Sequence, residues 1–254
     1  MPDFAEMRRI MEKQHVLSVA EMFGPTVQGE GRNQGAQAYF IRLGLCNLDC
    51  KWCDTPYTWD WTGKNGYKYS KTIELRRMDI YEMLQHVPRN CERIVITGGE
   101  PMVQQSNLIE LVYLLRSLGH VVEIETNGTI EPSNSWLELA AHYSDNGVQF
   151  NVSPKLRNSG VARDKAIHVG VLNEFNYLDA IFKFVVQTED CIDEIKDIQQ
   201  TVGIEAKDIY LMPEGRNANE IMSRLPWLFE VCSQTGYNLT PRLHVLAWND
   251  RRKI

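Results

Sequence analysis

Apolar positions along the chain fall into two alternating patterns, short runs suited to strands and longer stretches with apolar residues three or four apart, as on a helix. Residues 93–97 form a short apolar run that ends in Gly98-Gly99-Glu100-Pro101. Residues 104–118 follow with Leu108, Leu111, Val112, Leu115 and Leu118 at helical spacing, and Gly119 is placed as a stop. The alternation continues with strands predicted over 121–126, 148–153, 181–187 and 208–212, and helices over 135–143, 173–178, 192–202 and 217–236. A last strand is predicted over 242–248. Upstream, 15–23 and 37–45 read as strands, the second with Tyr39, Ile41 and Leu43 on one face and Phe40 and Arg42 on the other. Residues 73–87 read as a helix, the glycine-rich 24–31 as a loop, and the polar 1–13 as a frayed lead. Residues 56–71, with Tyr57, Trp59, Trp61, Tyr67 and Tyr69, show no period and read as an irregular insertion and candidate lid.

Strands alternating with helices imply a parallel sheet with right-handed crossovers. Counting 37–45, six strands lead into helices or loops of this kind, too few for an eight-fold barrel and enough for a partial (β/α)6 barrel. No repeat, low-complexity tract or proline-rich linker divides the sequence, so one domain over 1–254 is expected.

Composition adds limits. The 254 residues are 43% hydrophobic and 24% charged, ordinary for a globular protein, and the net charge of −6 argues against a general nucleic-acid surface. No apolar run approaches the roughly 18–20 residues that span a bilayer, and the N-terminal stretch lacks an apolar signal core. A cytoplasmic protein is expected, whose cysteines stay thiols or metal ligands.

The chemistry concentrates in Leu45-Cys46-Asn47-Leu48-Asp49-Cys50-Lys51-Trp52-Cys53-Asp54-Thr55, where three cysteines stand at C-x3-C-x2-C after a strand. Soft sulfur ligands suit an iron–sulfur cluster, zinc or copper(I). A structural zinc site needs a fourth Cys or His, but the nearest histidines are His15 and His86, and Cys91, Cys191 and Cys232 are scattered singly. A [4Fe–4S] cluster on three cysteines would leave one iron open. The spacing alone admits both readings.

Ligands of parallel α/β sheets bind beyond the carboxyl ends of the strands. In this chain those ends carry the three cysteines, Thr97-Gly98-Gly99-Glu100, Glu125-Thr126-Asn127-Gly128, Ser153-Pro154-Lys155, Lys183 with Val185 and Gln187, and Met212-Pro213-Glu214-Gly215. Each taken singly is an ordinary turn. Six at one face point to a shared site beside the cysteine loop.

The cysteine spacing, with Trp52 before the third cysteine, and Thr97-Gly98-Gly99-Glu100-Pro101 resemble the radical S-adenosylmethionine superfamily. Within it, Thr26-Val27-Gln28-Gly29-Glu30-Gly31, Arg42-Leu43, Cys53-Asp54-Thr55, Glu125-Thr126-Asn127-Gly128, Ser153-Pro154-Lys155 and Pro241-Arg242-Leu243-His244 resemble the 7-carboxy-7-deazaguanine synthases. The resemblance implies a ring contraction of 6-carboxy-5,6,7,8-tetrahydropterin to 7-carboxy-7-deazaguanine with loss of ammonia. It implies Cys46, Cys50 and Cys53 as ligands of a [4Fe–4S] cluster and Gly99, Glu100, Thr126, Asn127, Ser153, Pro154 and Lys155 around S-adenosylmethionine. Val27, Gln28, Gly29, Arg42 and Thr97 are implied for the pterin and Thr55 for Mg2+, while His244 is a candidate catalytic residue in the last strand. Further implications are a flavodoxin or ferredoxin-type electron donor and a homodimer. Glu125 reads as an ordinary strand-end carboxylate, and the tail Asp250-Arg251-Arg252-Lys253-Ile254 departs from the family pattern. Two other readings remain at this point, a glycyl-radical-enzyme activase and a zinc-stabilised, non-catalytic α/β module.

Overall fold

The computed structural model describes residues 15–142 and 147–254; the polar lead 1–13 and Tyr143, the end of one predicted helix, lie outside them. Strand β1 (Val16–Val27) pairs antiparallel with β2 (Gln37–Leu43). A short helix α1 (Lys71–Glu74) then precedes β3 (Arg76–Asp79) and α2 (Ile80–His86). The alternating part follows as β4 (Arg93–Gly98), α3 (Gln105–Ser117), β5 (Val121–Thr126), α4 (Asn134–His142) and β6 (Val148–Val152). It continues as α5 (Arg163–Ala166), α6 (Val169–Tyr177), β7 (Ile181–Val186), α7 (Asp190–Val202), β8 (Ile209–Pro213) and α8 (Ala218–Thr235). The last elements are β9 (Asn238–Leu239) and α9 (Leu243–Trp248).

Among the described residues nine strands form one sheet in the order β3-β1-β2-β4-β5-β6-β7-β8-β9. From β2 through β8 the six predicted strands pair in parallel, and β9 adds a two-residue parallel edge. The sheet does not close, so the architecture is the partial barrel expected. Helices cover its apolar face. Leu108, Leu111 and Leu115 of α3 are buried there, and Trp136, Phe150 and Phe175 pack ring to ring with centroids 5.7 and 5.1 Å apart. Successive strand residues face opposite sides, so the other face receives Arg42, Thr97, Glu123, Glu125, Asn151 and Lys183. Among the described residues no helix is long and apolar enough to cross a membrane.

Three predicted elements change. The stretch 242–248 is the helix α9 and not a strand; its short alternation of Leu243, Val245 and Ala247 fits one helical turn and a half equally well, and His244 therefore sits on a helix. The stretch 73–87 is broken, because Arg76–Asp79 is drawn into an edge pairing with Val16–Val19, and Asp79 restarts the helix by accepting the Tyr81 N–H. Residues 24–27, read as loop, extend β1 past a register shift between Phe23 and Thr26. A second shift, between Val19 and Glu21, sets Glu21 opposite Arg42.

Candidate active site

The cysteine loop leaves β2 at Leu45, whose φ of 71° turns the chain away from the sheet. Its N–H donates to Thr58 O at 2.8 Å, and Lys51 N–H donates to Ser159 O at 2.9 Å, fixing the loop at two points. The Gly98-Gly99 pair makes room for it. A Cβ on Gly98 would lie 2.1 Å from Leu43 O and one on Gly99 2.1 Å from Leu45 O, so only glycines allow strand β4 to end against the cysteine loop. Cys46, Cys50 and Cys53 all line one pocket at the carboxyl ends of the strands.

The donor set fits an iron–sulfur cluster. Burial, with mutual repulsion adding to it, pushes the Cys46 thiol up to about 12 and Cys50 to about 11, and Cys53 is raised as well. A bare trio would be protonated near pH 7, and a bound metal centre would displace the three protons. Among the described residues lining that pocket there is no fourth cysteine, and its histidine, His244, lies against Glu30, so the fourth ligand of a closed zinc site is not supplied.

Beside the cysteines, Gly99, Thr126, Asn127, Ser153 and Lys155 share the pocket wall. Glu100 is fully buried behind it, accepting from Met102 N (2.9 Å), Thr126 Oγ1 (2.8 Å) and Asn127 N (2.6 Å). Burial raises its pKa against those three donors. Asn127 Nδ2 donates to Asn47 Oδ1 at 2.9 Å, tying this turn to the cysteine loop. Lys155 Nζ donates to Ser153 Oγ at 2.9 Å and lies 5.8 Å from the Trp52 ring centroid. Pro154 is buried between the two and is not part of the lining.

The opposite wall carries a network of charges. Glu30 accepts from Arg242 Nε at 3.0 Å and pairs with Lys183 Nζ; Lys183 also reaches Glu125 Oε2 at 3.3 Å, and Arg242 pairs with Asp54. Burial opposes ionisation of Glu30, but Lys183 and Arg242 outweigh it and hold the carboxyl well below the usual range. Asp54 is lowered in the same way, chiefly by Arg242 against its burial. Glu125 is raised, because burial outweighs its share of Lys183. Burial lowers His244 despite Glu30, whose Oε1 lies 3.9 Å from His244 Nε2, so the ring is neutral at pH 7. Glu125 is therefore part of an ion-pair network with Lys183 and not the ordinary carboxylate expected.

The first loop is closed on itself beside this wall, with Gln28 N–H donating to Ala36 O and Gln28 O accepting from Gly35 N–H, both at 2.8 Å. Gln28 spends its amide inside the protein, donating from Nε2 to Glu123 Oε2 at 3.1 Å and accepting from Glu30 N–H at 3.2 Å. Val27 lines the pocket rim. Gly29 accepts from Leu243 N–H at 3.1 Å, and a Cβ there would lie 2.3 Å from His244 Nδ1. Gly29→Ala is accordingly expected to displace His244 and α9, at a cost of about 1–3 kcal/mol. Urea unfolding should show that loss.

Arg42 and Thr97 also line the pocket. Arg42 Nε donates to Glu21 Oε2 at 3.1 Å, leaving its terminal nitrogens for the cavity, and Tyr57 OH donates to the same oxygen at 2.9 Å. The tail comes back to this point. Asn249, with φ of 55°, turns the chain after α9, and Arg252 donates to Glu21 Oε1 (2.8 Å) and Glu74 Oε2 (3.0 Å) while stacking 3.6 Å from the Tyr57 ring centroid. Arg251 to Ile254 line the pocket, so the tail that departs in sequence is part of its rim.

Glu21, Glu30, Asp54, Arg242 and Arg252 carry no individual role in the sequence analysis, and Lys183 enters it only as one of the strand-end residues. Glu30, Asp54 and Arg242 stand inside the quoted motifs, next to positions that were chosen. Lys183 had a usable signal, a lysine within the otherwise apolar run Ile181–Val186, since a charge in a strand buried on both faces needs a partner. Glu21 and Arg252 carried none, because their meeting depends on a chain separation of 231 residues.

Comparison with known proteins agrees with this geometry. The model of the Radical SAM superfamily matches residues 41–223. A 7-carboxy-7-deazaguanine synthase of Pyrobaculum aerophilum is 34% identical over 238 residues, covering 93% of this chain and 96% of that protein. Another, of Rhodopirellula baltica, is 31% identical over 239 residues, covering 93% and 88%. The crystal structure of QueE from Escherichia coli superposes with a TM-score of 0.68 at 24% identity, covering 92% of this chain and 98% of that one, a likeness of fold. On the sequence matches and the motifs at the strand ends together, the chain belongs to the 7-carboxy-7-deazaguanine synthase family of the radical S-adenosylmethionine superfamily.

Proposed function

We propose that this protein is a radical S-adenosylmethionine lyase that converts 6-carboxy-5,6,7,8-tetrahydropterin to 7-carboxy-7-deazaguanine with loss of ammonia. The observation that carries the reading is one pocket lined by the three cysteines and by an ion-paired wall of Glu30, Lys183, Arg242, Asp54 and His244. When bound, the [4Fe–4S] cluster and S-adenosylmethionine supply a hydrogen-abstracting carbon radical after one-electron reduction.

Cys46, Cys50 and Cys53 would hold the cluster. Gly99, Thr126, Asn127, Ser153 and Lys155 would bind the cofactor, with Glu100 bracing the Thr126-Asn127 turn from behind and Pro154 shaping the segment between Ser153 and Lys155. On the substrate side, Val27, Gln28, Gly29, Arg42 and Thr97 would orient the pterin. The free nitrogens of Arg42 suit a carboxylate. The Thr55 hydroxyl is a hard oxygen ligand suited to Mg2+ beside that carboxylate, with water filling most of the shell. His244, neutral at pH 7, can accept a proton, and Glu30 beside its Nε2 stabilises the charged ring that results.

The working unit in this reading is one domain over 1–254, cytoplasmic, without direct contact to nucleic acid, served by a flavodoxin or ferredoxin-type donor and assembled as a homodimer. Anaerobic incubation of the reconstituted, reduced protein with S-adenosylmethionine and the carboxypterin tests the activity. Formation of 7-carboxy-7-deazaguanine by mass spectrometry is expected, from a brown protein with about four irons per chain. A fully loaded, reduced protein that leaves the pterin unchanged would overturn the proposal.

A further inference from the structure

The cysteine loop has two tryptophans within reach of the sulfurs, and they use their N–H groups differently. Trp52 Nε1 donates to Asn158 Oδ1 at 3.3 Å, away from the cysteines. Trp59 Nε1 points at Cys53 Sγ from 3.3 Å. Cys53 is also approached by Thr55 Oγ1 at 3.7 Å, whereas Cys46 accepts a backbone N–H from Leu48 at 3.5 Å.

The position of Trp59 is built in rather than incidental. It closes the single turn Pro56–Thr58, with its N–H on Pro56 O at 3.1 Å, and Thr58 O in turn receives Leu45 N–H from the head of the cysteine loop at 2.8 Å. The next residue, Asp60, is 1% exposed, and its carboxylate accepts the N–H groups of Thr62 (3.2 Å), Gly63 (2.8 Å), Lys64 (3.0 Å) and Asn65 (2.7 Å). Burial opposes its ionised form, but these bonds together outweigh it and lower its pKa. The segment read as an irregular insertion is thus a carboxylate-centred frame that aims one indole N–H at one thiolate.

We propose that Trp59 is a tuning residue that raises the midpoint potential of the cluster through its hydrogen bond to Cys53. This rests on the cluster assignment above. Reduction takes one electron from an external low-potential donor and breaks no bond; the indole proton stays on Nε1. The added charge is shared by the ligand sulfurs, so a donor on Cys53 favours the reduced state more than the oxidised one. Radical chemistry in this pocket begins with that electron, and the hydrogen bond makes it easier to deliver.

The test is a potentiometric titration of the reconstituted holoenzyme without S-adenosylmethionine, followed by electron paramagnetic resonance of the reduced cluster, for wild type, Trp59→Phe and Trp52→Phe. Trp59→Phe is expected to lower the midpoint so that the ratio of reduced to oxidised cluster at fixed potential falls about tenfold, 59 mV for one electron. Trp52→Phe should leave it in place. An unchanged midpoint in Trp59→Phe, or an equal shift in Trp52→Phe, overturns the proposal. Iron and sulfide content report on the cluster assignment separately.

If Trp59→Phe fails to take up iron, the decisive measurement moves to wild type and Trp52→Phe grown with 15N-indole tryptophan. Both should show a 15N hyperfine coupling to the reduced cluster; its absence overturns the hydrogen bond.

Discussion

Cys50→Ala is expected to yield a folded, colourless protein with no detectable turnover. Cys50 lies in a small satellite cluster with Leu48, Val161 and Ala166, apart from the main core between sheet and helices. Removing its sulfur deletes little packing, and the loop keeps its anchors at Leu45 N–H and Lys51 N–H. Two thiols, Cys46 and Cys53, then remain for a cluster that needs three, and without it no hydrogen-abstracting radical forms. Cys91→Ala is the matched control. Cys91 is fully buried in the main core and donates to Arg93 O at 3.4 Å, so its loss should cost about 1–2 kcal/mol in urea unfolding. The iron content of that variant should stay at the wild-type level. If Cys50→Ala retained iron and product formation, the assignment of the three cysteines would fail.

How much of this was legible follows from the range of the interactions. The six parallel strands were visible because a strand buried on both faces must be apolar and brief, as Arg93–Gly98 and Ile181–Val186 are. Helix α3 was visible from its repeat of leucines and its stop at Gly119. Residues 76–79 were misread because their local pattern continues a helical one, and only pairing with Val16–Val19, sixty residues away, makes them a strand. Residues 242–248 were too short for their period to separate helix from strand.

The site divides along the same line. The residues that meet beside the cysteines at one pocket wall were legible because they cluster in short motifs at successive strand ends. The charged wall was not, since Glu30 meets Lys183 and Arg242 across 153 and 212 residues. Sequence could show that these residues were charged and near motifs; it could not show that they neutralise one another. The Gln28 amide illustrates the point in reverse. It has the donor and acceptor that a pterin edge calls for, yet the fold engages them with Glu123 and Glu30 N–H, partners that only the folded chain brings together.

Lys183→Met tests whether that wall works as a unit. Lys183 is 3% exposed and lies between Glu30 and Glu125, whose charges hold its pKa up against a burial cost that would lower it. Methionine fills similar space without charge. Glu30 keeps Arg242, but Glu125, whose side chain is 20% exposed at the pocket, loses the cation bonded to it, a cost of about 1–3 kcal/mol. Glu125 can escape part of this by binding a proton, since burial already raises its pKa. In the variant the folded state then binds a proton that the unfolded chain releases above its ordinary value of about 4.3. Stability therefore falls as pH rises from that value through the raised one. Glu30 acts in the opposite sense: its carboxyl is depressed, so the stabilisation it draws from Lys183 is present above the ordinary range and lost as pH falls through the lowered value. Both effects widen the gap between wild type and variant at high pH and narrow it in acid. Urea unfolding at pH 8 and pH 5 should show the larger loss at pH 8, together with a raised KM for the anionic pterin from the missing pocket cation. A loss equal at both pH values would mean that Glu125 does not depend on Lys183, and the coupled wall would reduce to separate pairs.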